Sequence, residues 1–191
     1  VDVFIYDTSK DSDGGAWRKR TQHTSWYNET LGTATRGTRK EFPAVAVIVY
    51  GSGFINIYDG DDPDLPMWMT FDSSNFETFV TDIPTTVNML NGVLVWGCKH
   101  TNSAFAQNNL VICNFISEKT ERISHAGNNY SGTDRTGIVN RNVWNNISTW
   151  VGNRPINLVN YYINDVAMTV LPNAPVDSAT GLPVPTFAVA T

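Results

Sequence analysis

Apolar residues along this chain recur at every second position or run continuously, and a helical period is not sustained anywhere. Such patterns predict β-strands. One short helix is predicted over residues 25–31, with Ser25 as its N-cap. The clearest strand-bearing segments are VFIY (3–6), AVAVIVY (44–50), FINIYDG (54–60), MWMTF (67–71), TTVNMLNGVLVWGCK (85–99), NLVICNFISEKTERIS (109–124) and DVAMTVLPNAPVDSATGLPVPTFAVAT (165–191).

Turn residues separate these runs at close spacing. Gly51-Ser52-Gly53 predicts a hairpin between 44–50 and 54–60, because glycine adopts the positive φ angles of tight connections. Asn91-Gly92 predicts a second hairpin inside 85–99, and Ser117-Glu118-Lys119 a third inside 109–124. The C-terminal segment reads as two apolar runs split by a Pro/Gly/Ser turn.

Short strands joined by Gly, Asn and Pro turns predict an all-β fold, an antiparallel meander. The strand pairs resemble the inner strands of a β-propeller, but a closed propeller needs at least four blades, so we expect an incomplete one. A β-sandwich is the alternative, favoured if strands 44–71 and 85–124 face each other. We expect an N-terminal arm or hairpin segment over 1–43 and an antiparallel β domain over 44–191.

Composition narrows the function. Only 16% of the 191 residues are charged and the formal net charge is −5, which argues against nucleic acid as the main partner, since phosphate binding needs a basic face. One local exception is the basic stretch from Arg18 to Lys40. No apolar run reaches the roughly 18 residues of a membrane span, so we expect no membrane insertion. Because the chain begins with Val and stops inside a strand-like run, we expect a trimmed piece of a longer protein.

Cys98 and Cys113 are the only cysteines of the chain. They could face each other on paired strands, and a disulfide between them is one possibility. Two thiols on apolar strands are more often buried and reduced, which is the interpretation we favour.

The run YDGDDPD (58–64) places the carboxylates of Asp59, Asp61, Asp62 and Asp64 between two predicted strands. The spacing does not fit an EF-hand, but loop carboxylates can also hold Ca²⁺ without that motif. Asp-Gly is a strong turn dipeptide and Pro63 presets φ, so a plain reversal of the chain explains the same residues. We favour the turn and keep Ca²⁺ as the alternative; no other cofactor is expected.

The stretch DTSKDSDGGAW (7–17) is similar to a degenerate Asp-box, the hairpin motif of sialidase-like propellers. That resemblance implies a structural role, in which Asp accepts backbone N–H groups and Trp packs beneath the turn. The carboxylates of Asp7, Asp11 and Asp13 could alternatively bind a cation.

Aromatic residues beside Asn and Asp are typical of saccharide-binding surfaces, because sugar rings stack on aromatic faces. Trp26, Tyr27 and Trp68 are the candidate binding residues on this interpretation. The competing interpretation is that these rings fill the core or a subunit interface. Acidic residues are frequent enough to supply a glycosidase pair, but nothing in their pattern marks one. We therefore expect no enzyme and assign no catalytic residue.

Three segments carry a family resemblance: residues 2–49, IYDGDDPDLPMWM (57–69) and residues 165–191. In them the sequence resembles large virion structural proteins of marine bacteriophages, especially tail-associated ones. The resemblance implies a β-propeller-like region, location in the virion, and assembly with other virion proteins as a homo-oligomer. It carries over no catalytic residues. The alternative function is a carbohydrate-binding or glycan-cleaving module that recognises a host-surface glycan.

Overall fold

The first four strands form one antiparallel sheet in chain order. The computed structural model describes residues 1–72, 83–99, 110–123, 130–133, 137–142, 158–160 and 162–191. Gly53, with φ of 80°, completes the predicted turn between the second and third strands, so this hairpin is confirmed. The strands are β1 (Asp2–Asp7), β2 (Val45–Gly51), β3 (Phe54–Asp59) and β4 (Met67–Asp72).

The next five strands form a second antiparallel sheet, again in chain order. Asn91 and Gly92 have φ of 52° and 71°, the conformation that an Asn-Gly hairpin turn requires. The hairpins predicted at Asn91-Gly92 and around Glu118 are both confirmed. The strands are β5 (Ile83–Leu90), β6 (Val93–Lys99), β7 (Leu110–Asn114), β8 (Lys119–Ile123) and β9 (Tyr130–Thr133).

The C-terminal segment folds as two nested strand pairs. Strand β10 (Asp165–Thr169) pairs antiparallel with β13 (Thr186–Ala190), and between them β11 (Val176–Asp177) pairs with β12 (Leu182–Pro183). The two apolar runs predicted here are therefore partners in one hairpin.

A single aromatic-rich core lies between the two large sheets. Ile48 and Ile55 of the first sheet and Leu94 and Trp96 of the second belong to one buried cluster and are fully shielded from solvent. Segments 44–71 and 85–124 thus face each other, which is the condition stated for the sandwich alternative. The predicted all-β antiparallel meander is confirmed, and the described ranges contain no closed propeller or barrel.

A smaller core covers the other side of the second sheet. Val95 and Ile112 point away from the main core and pack in a cluster with Val166 of β10. Thr86 Oγ1 donates to Asp165 Oδ1 at 3.0 Å, and Asn88 Nδ2 donates to the Val166 carbonyl at 3.2 Å. The layers therefore run in the order first sheet, second sheet, C-terminal hairpin.

Residues 1–43 do not extend as an arm. Strand β1 pairs with β2 along its whole length, and Trp17, Trp26 and Phe42 are fully buried in the main core. The expected arm is wrong because the segment carries too many large aromatic rings to remain in water. The segment is not a separate hairpin either, since its one strand, β1, pairs with β2 of the β domain expected over 44–191. The helix predicted over 25–31 is wrong as well: residues 22–29 form turns, and the only helical pieces of 1–43 are short 3-10 helices at Thr8–Lys10 and Ala16–Arg20.

Candidate interaction surface

The acidic run between β3 and β4 is a chain reversal. The N–H of Asp59 donates to the Pro66 carbonyl at 2.9 Å, and Leu65 supplies a positive φ of 46°. Asp62 Oδ1 accepts the N–H of Asp64 at 3.0 Å, as in an Asx turn. The turn that the sequence favours is thus confirmed.

A guanidinium already neutralises the two inner acids of this turn. Arg39 Nη1 donates to both carboxylate oxygens of Asp59, at 2.7 and 2.8 Å, and to Asp61 Oδ2 at 2.7 Å. Burial opposes ionisation of Asp61, but hydrogen bonds from the N–H groups of Ala44 and Val45 and from Arg39 outweigh it and lower the pKa of Asp61. Within the described ranges no three His, Cys, Asp or Glu side chains lie close enough together to hold a metal ion.

Ca²⁺ takes six to eight oxygen ligands, and two of the four carboxylates of this turn are already paired with Arg39. Arg39 lies against Asp59 and Asp61, while Asp62 and Asp64 are exposed on the outer part of the turn. We therefore do not propose Ca²⁺ here. The carboxylates act through Arg39, which fixes the turn to the segment that precedes β2.

Two of the three candidate saccharide-binding aromatics belong to the core. Trp26 is fully buried and Trp68 is 1% exposed, so neither ring presents a face to a ligand. Their indole N–H groups donate to the carbonyls of Phe115, at 2.8 Å, and Glu41, at 3.0 Å. The two rings lie edge to face, 5.4 Å apart. The stacking role predicted for Trp26 and Trp68 is contradicted by this placement.

A β-bulge explains why Trp68 faces inward. Pairing of β3 with β4 shifts register between Ile57 and Tyr58, and Ile57 pairs with Met69 while Tyr58 pairs with Met67. The extra residue in β4 is Trp68, and a bulge lets Trp68 and Met69 both point into the core. Tyr27, the third candidate, is half-buried against the core with the Lys40 ammonium 5.5 Å from its ring centre, and one such ring offers no stacking platform.

The Asp-box-like segment links the two large sheets through the buried carboxylate of Asp11. We call the hydrogen bonds that Asp11 accepts from Tyr6, Trp17 and Asn91 the latch. Asp11 Oδ2 accepts hydrogen bonds from the Tyr6 hydroxyl at 2.5 Å and from the Trp17 indole at 2.7 Å. Asp11 Oδ1 accepts the backbone N–H of Asn91 at 2.8 Å, in the β5–β6 turn. Burial raises the pKa of the Asp11 carboxyl despite these donors. The buried acceptor is Asp11, while Asp13 accepts the N–H of Gly15 and pairs with Arg20, and Asp7 accepts the N–H of Ser9.

Two arginines of the chain are buried around one glutamate. Glu29 lies 2.9 Å from Arg36 Nε and 2.8 Å from Arg141 Nη1, and all three side chains are at most 4% exposed. Arg36 also donates to the Trp68 carbonyl at 2.9 Å, and Arg141 to the Thr70 carbonyl at 2.7 Å. Burial lowers the pKa of Arg36 to about 10, with Glu29 opposing and Arg141 adding to that effect. This cluster fixes the edge strand β4 to residues 29–36, which precede β2, and to Arg141.

The most unusual surface of the molecule is the solvent side of the first sheet. Strand register and the two-residue period place twelve side chains on this side: eight apolar ones, two neutral polar ones, and the carboxylates of Asp7 and Asp72 at opposite ends of the sheet. The ten uncharged residues are Val3, Ile5, Val45, Val47, Val49, Phe54, Tyr58 and Met67, with Asn56 and Thr70; we call these ten residues the outer face.

The outer face is not part of either core. Val3 is 53% and Ile5 64% exposed, and the other outer-face side chains are half-buried. None of the ten belongs to the two hydrophobic clusters or packs against them. An antiparallel sheet with one solvated side normally alternates apolar inward and polar outward residues. This sheet is apolar on both sides, as are sheets whose two sides are covered.

The sequence carried a signal for the outer face that the strand predictions did not use. In AVAVIVY the residues on both sides of the strand are apolar. Ala46 and Ile48 face the core, while Val45, Val47 and Val49 face outward. A continuous apolar strand of this kind indicates burial on both sides.

A cleft lies between the second sheet and the C-terminal hairpin. Its volume is about 270 Å³, and its wall includes Ile112, Lys119, Glu121 and Phe187. Lys119 Nζ and Glu121 Oε1 are already paired at 2.5 Å. Ligand pockets usually exceed about 300 Å³ and present convergent polar groups, so this cleft carries no binding assignment.

The comparisons with known proteins add no relative. No protein-family model, no curated protein and no solved structure matches the chain. No helix in the described ranges is long and apolar enough to cross a bilayer. The outer face remains the most distinctive surface of the described residues.

Proposed function

We propose that this chain is a structural module of a bacteriophage virion, associated with the tail or a tail fibre, that acts through protein–protein contacts made by its outer face. The observation that carries the proposal is the exposed, apolar outward side of the first sheet. An apolar sheet face left in water is a site of association or of aggregation. In an assembled particle a neighbouring subunit would cover it.

The chemistry of the outer face agrees with an interface. Its interior holds no charged residue, and charges are depleted at the centres of protein interfaces. Acidic residues occur at its rim: Asp7 pairs with Val45 at one end of the sheet, and Asp72 pairs with Phe54 at the other. An apolar centre with a polar rim is the usual anatomy of a specific contact.

The resemblance of residues 2–49, 57–69 and 165–191 to tail-associated virion proteins supplies the choice of particle. We assign no catalytic role. The alternative of a glycan-binding module loses its support, since Trp26 and Trp68 are buried, and no observation on the described surface favours it.

Protein content of purified particles tests the proposal. Virus particles from the sample that carries this gene are banded on a density gradient, and each fraction is analysed by mass spectrometry. We expect the chain to band with the capsid and tail proteins at a constant ratio. Recovery of the chain only from particle-free fractions would overturn the proposal.

An interface variant refines this test. Val47→Lys places a charge inside the outer face and should exclude the chain from particles. Thr186→Lys adds the same charge at an exposed position of β13, on the opposite side of the molecule, and should leave incorporation unchanged. Equal incorporation of both variants would show that the outer face is not the contact.

A further inference from the structure

A polar group without a partner lies near the middle of the outer face. Asn56 is the central outward residue of β3, paired with Val49 on one side and Thr70 on the other. Its Oδ1 atom is shielded from solvent and accepts no hydrogen bond within the described part of the chain. A shielded amide oxygen without a donor costs about 1–3 kcal/mol, so its place in an apolar patch calls for an explanation.

An amide is complementary to another amide. It offers both donors and an acceptor, and rotation about the Cβ–Cγ bond exchanges their positions at little cost. A carboxylate or an ammonium lacks this property, because the first only accepts and the second only donates. Two identical chains that meet through the same surface bring each central residue close to its own copy.

We propose that the outer face binds a second copy of this chain, face to face about a two-fold axis, with the two Asn56 amides hydrogen-bonded to each other near that axis. The inference rests on the proposed assembly function and names the partner. A single polar pair in an otherwise apolar contact also fixes the register of the two copies, as a buried Asn does in coiled coils.

The two ends of the layered molecule favour this closed arrangement. The outer face ends the stack of layers on one side with valines and aromatic rings. On the other side the outward face of the β10–β13 pair exposes small or polar residues, among them Thr169, Thr186, Ala188 and Ala190, while Leu171, Val176 and Val184 of the segment between these two strands are also exposed. Pairing of the two apolar ends leaves the small and polar ends in water, whereas head-to-tail stacking would cover each apolar face with a poorly matched one and continue without closing.

The area of the outer face sets the expected affinity of the dimer. Four strands about 4.8 Å apart and roughly six residues long cover about 400 Å² in projection. Two copies therefore bury about 800 Å² in projection, and more once the relief of the side chains is counted, which is below the roughly 1,200 Å² of stable interfaces and in the range of weak ones. We expect a dimer that dissociates on dilution, with a Kd on the order of micromolar.

Charge complementation at position 56 tests the inference. Wild-type protein, Asn56→Asp and Asn56→Lys are compared by sedimentation velocity over a range of concentrations at neutral pH. We expect the wild type to dimerise and each variant alone to be monomeric, with Kd raised at least about tenfold, because like charges meet at the axis. A 1:1 mixture of the two variants should recover the dimer, since Asp then faces Lys.

Matched variants keep this test specific. Thr186→Asp and Thr186→Lys place the same charges on an exposed strand position away from the outer face and should sediment like the wild type. Circular dichroism confirms folding; if the variants at position 56 do not fold, the pair Val49→Asp and Val49→Lys, on the neighbouring strand, replaces them.

Two results would overturn the inference: a wild-type protein that stays monomeric at every concentration, or a dimer that the mixture of Asp and Lys variants does not recover. These results are separate from those for the proposed function. A monomeric chain that bands with virus particles would refute the dimer and support the virion role. A dimeric chain that is absent from particles would support the dimer and refute the virion role.

Discussion

Arg39 and Asp59 form the tightest ion pair of the turn between β3 and β4, with Arg39 Nη1 at 2.7 and 2.8 Å from the two carboxylate oxygens. The Asp59 side chain is only 8% exposed. This arginine compensates the negative charge of Asp59 and Asp61, the two inner acids of the turn.

Removing this guanidinium should destabilise the fold. We expect Arg39→Met to lower the free energy of unfolding by about 1–3 kcal/mol, because it leaves a shielded carboxylate without its donor. Urea denaturation measures the change, with the exposed Lys19→Met as the matched control. Addition of EDTA should leave the melting temperature of the wild type unchanged, and a drop on chelation would restore the Ca²⁺ hypothesis.

The buried carboxyl of Asp11 should make stability depend on pH. Because burial raises the pKa of Asp11, the folded protein binds its proton more tightly than the unfolded chain does. The contribution of this group to stability therefore falls as pH rises from the unfolded pKa through the folded one. Urea denaturation at closely spaced pH values from 3 to 8 should show this fall in the wild type and lose it in Asp11→Asn.

The same Asp11→Asn variant should also lower the free energy of unfolding by about 1–3 kcal/mol at neutral pH. Its side-chain N–H₂ replaces one carboxylate oxygen, so at least one of the donors from Tyr6, Trp17 and Asn91 loses its acceptor. Asp62→Asn serves as the control, because an exposed Asn can accept the same Asx-turn hydrogen bond as Asp62 does. An Asp11→Asn protein with the stability and pH profile of the wild type would contradict the latch.

Glu29 should be among the most sensitive single positions of the chain. Glu29→Gln leaves Arg36 and Arg141 buried without an anion, and breaking a buried ion pair in this way costs about 3–5 kcal/mol. Glu41→Gln is the control: Glu41 lies 3.6 Å from Arg18 and is 37% exposed, and such surface pairs contribute about 0–1 kcal/mol. Thermal denaturation of both variants should separate them clearly; similar melting temperatures would show that the cluster is not buried as described.

We expect substitution of Trp68 to lower the stability of the fold and not to change glycan binding. Trp68→Ala removes a fully packed ring and its hydrogen bond to the Glu41 carbonyl, and we expect a loss of about 3–5 kcal/mol. Tyr162→Ala, at a position 42% exposed, should cost far less. A Trp68→Phe protein that keeps its stability but loses binding on a glycan array would contradict the core assignment and favour the saccharide function.

Much of the architecture followed from local signals. Asn91-Gly92 predicted a hairpin because few other dipeptides accept two positive φ angles, and the residues around Pro63 predicted the reversal that the structure shows. These signals act over a few residues, so they can be recognised in one sequence without knowledge of the rest of the fold.

The side-chain environments could not be predicted in the same way. Trp68 points inward because of a bulge in β4, and the strand pattern alone does not reveal where the extra residue lies. Asp11 finds its backbone donor at Asn91, 80 positions further along the chain. The outer face was different: Val45, Val47 and Val49 stand in the sequence beside the core-facing Ala46 and Ile48, and such a continuous apolar strand indicates burial on both sides.

The latch between Asp11 and Asn91 has a consequence for the order of folding. During synthesis Tyr6 and Asp11 emerge long before the β5–β6 turn, in which the N–H groups of Gly92 and Asn91 donate the hydrogen bonds that these two side chains accept. The hydrogen bond from Arg20 to the Thr180 carbonyl forms later still, because Thr180 is synthesised 160 residues after Arg20. Such distant contacts slow folding and leave aromatic surface uncovered on the nascent chain. We expect the N-terminal segment to be the part of this protein that most needs a chaperone.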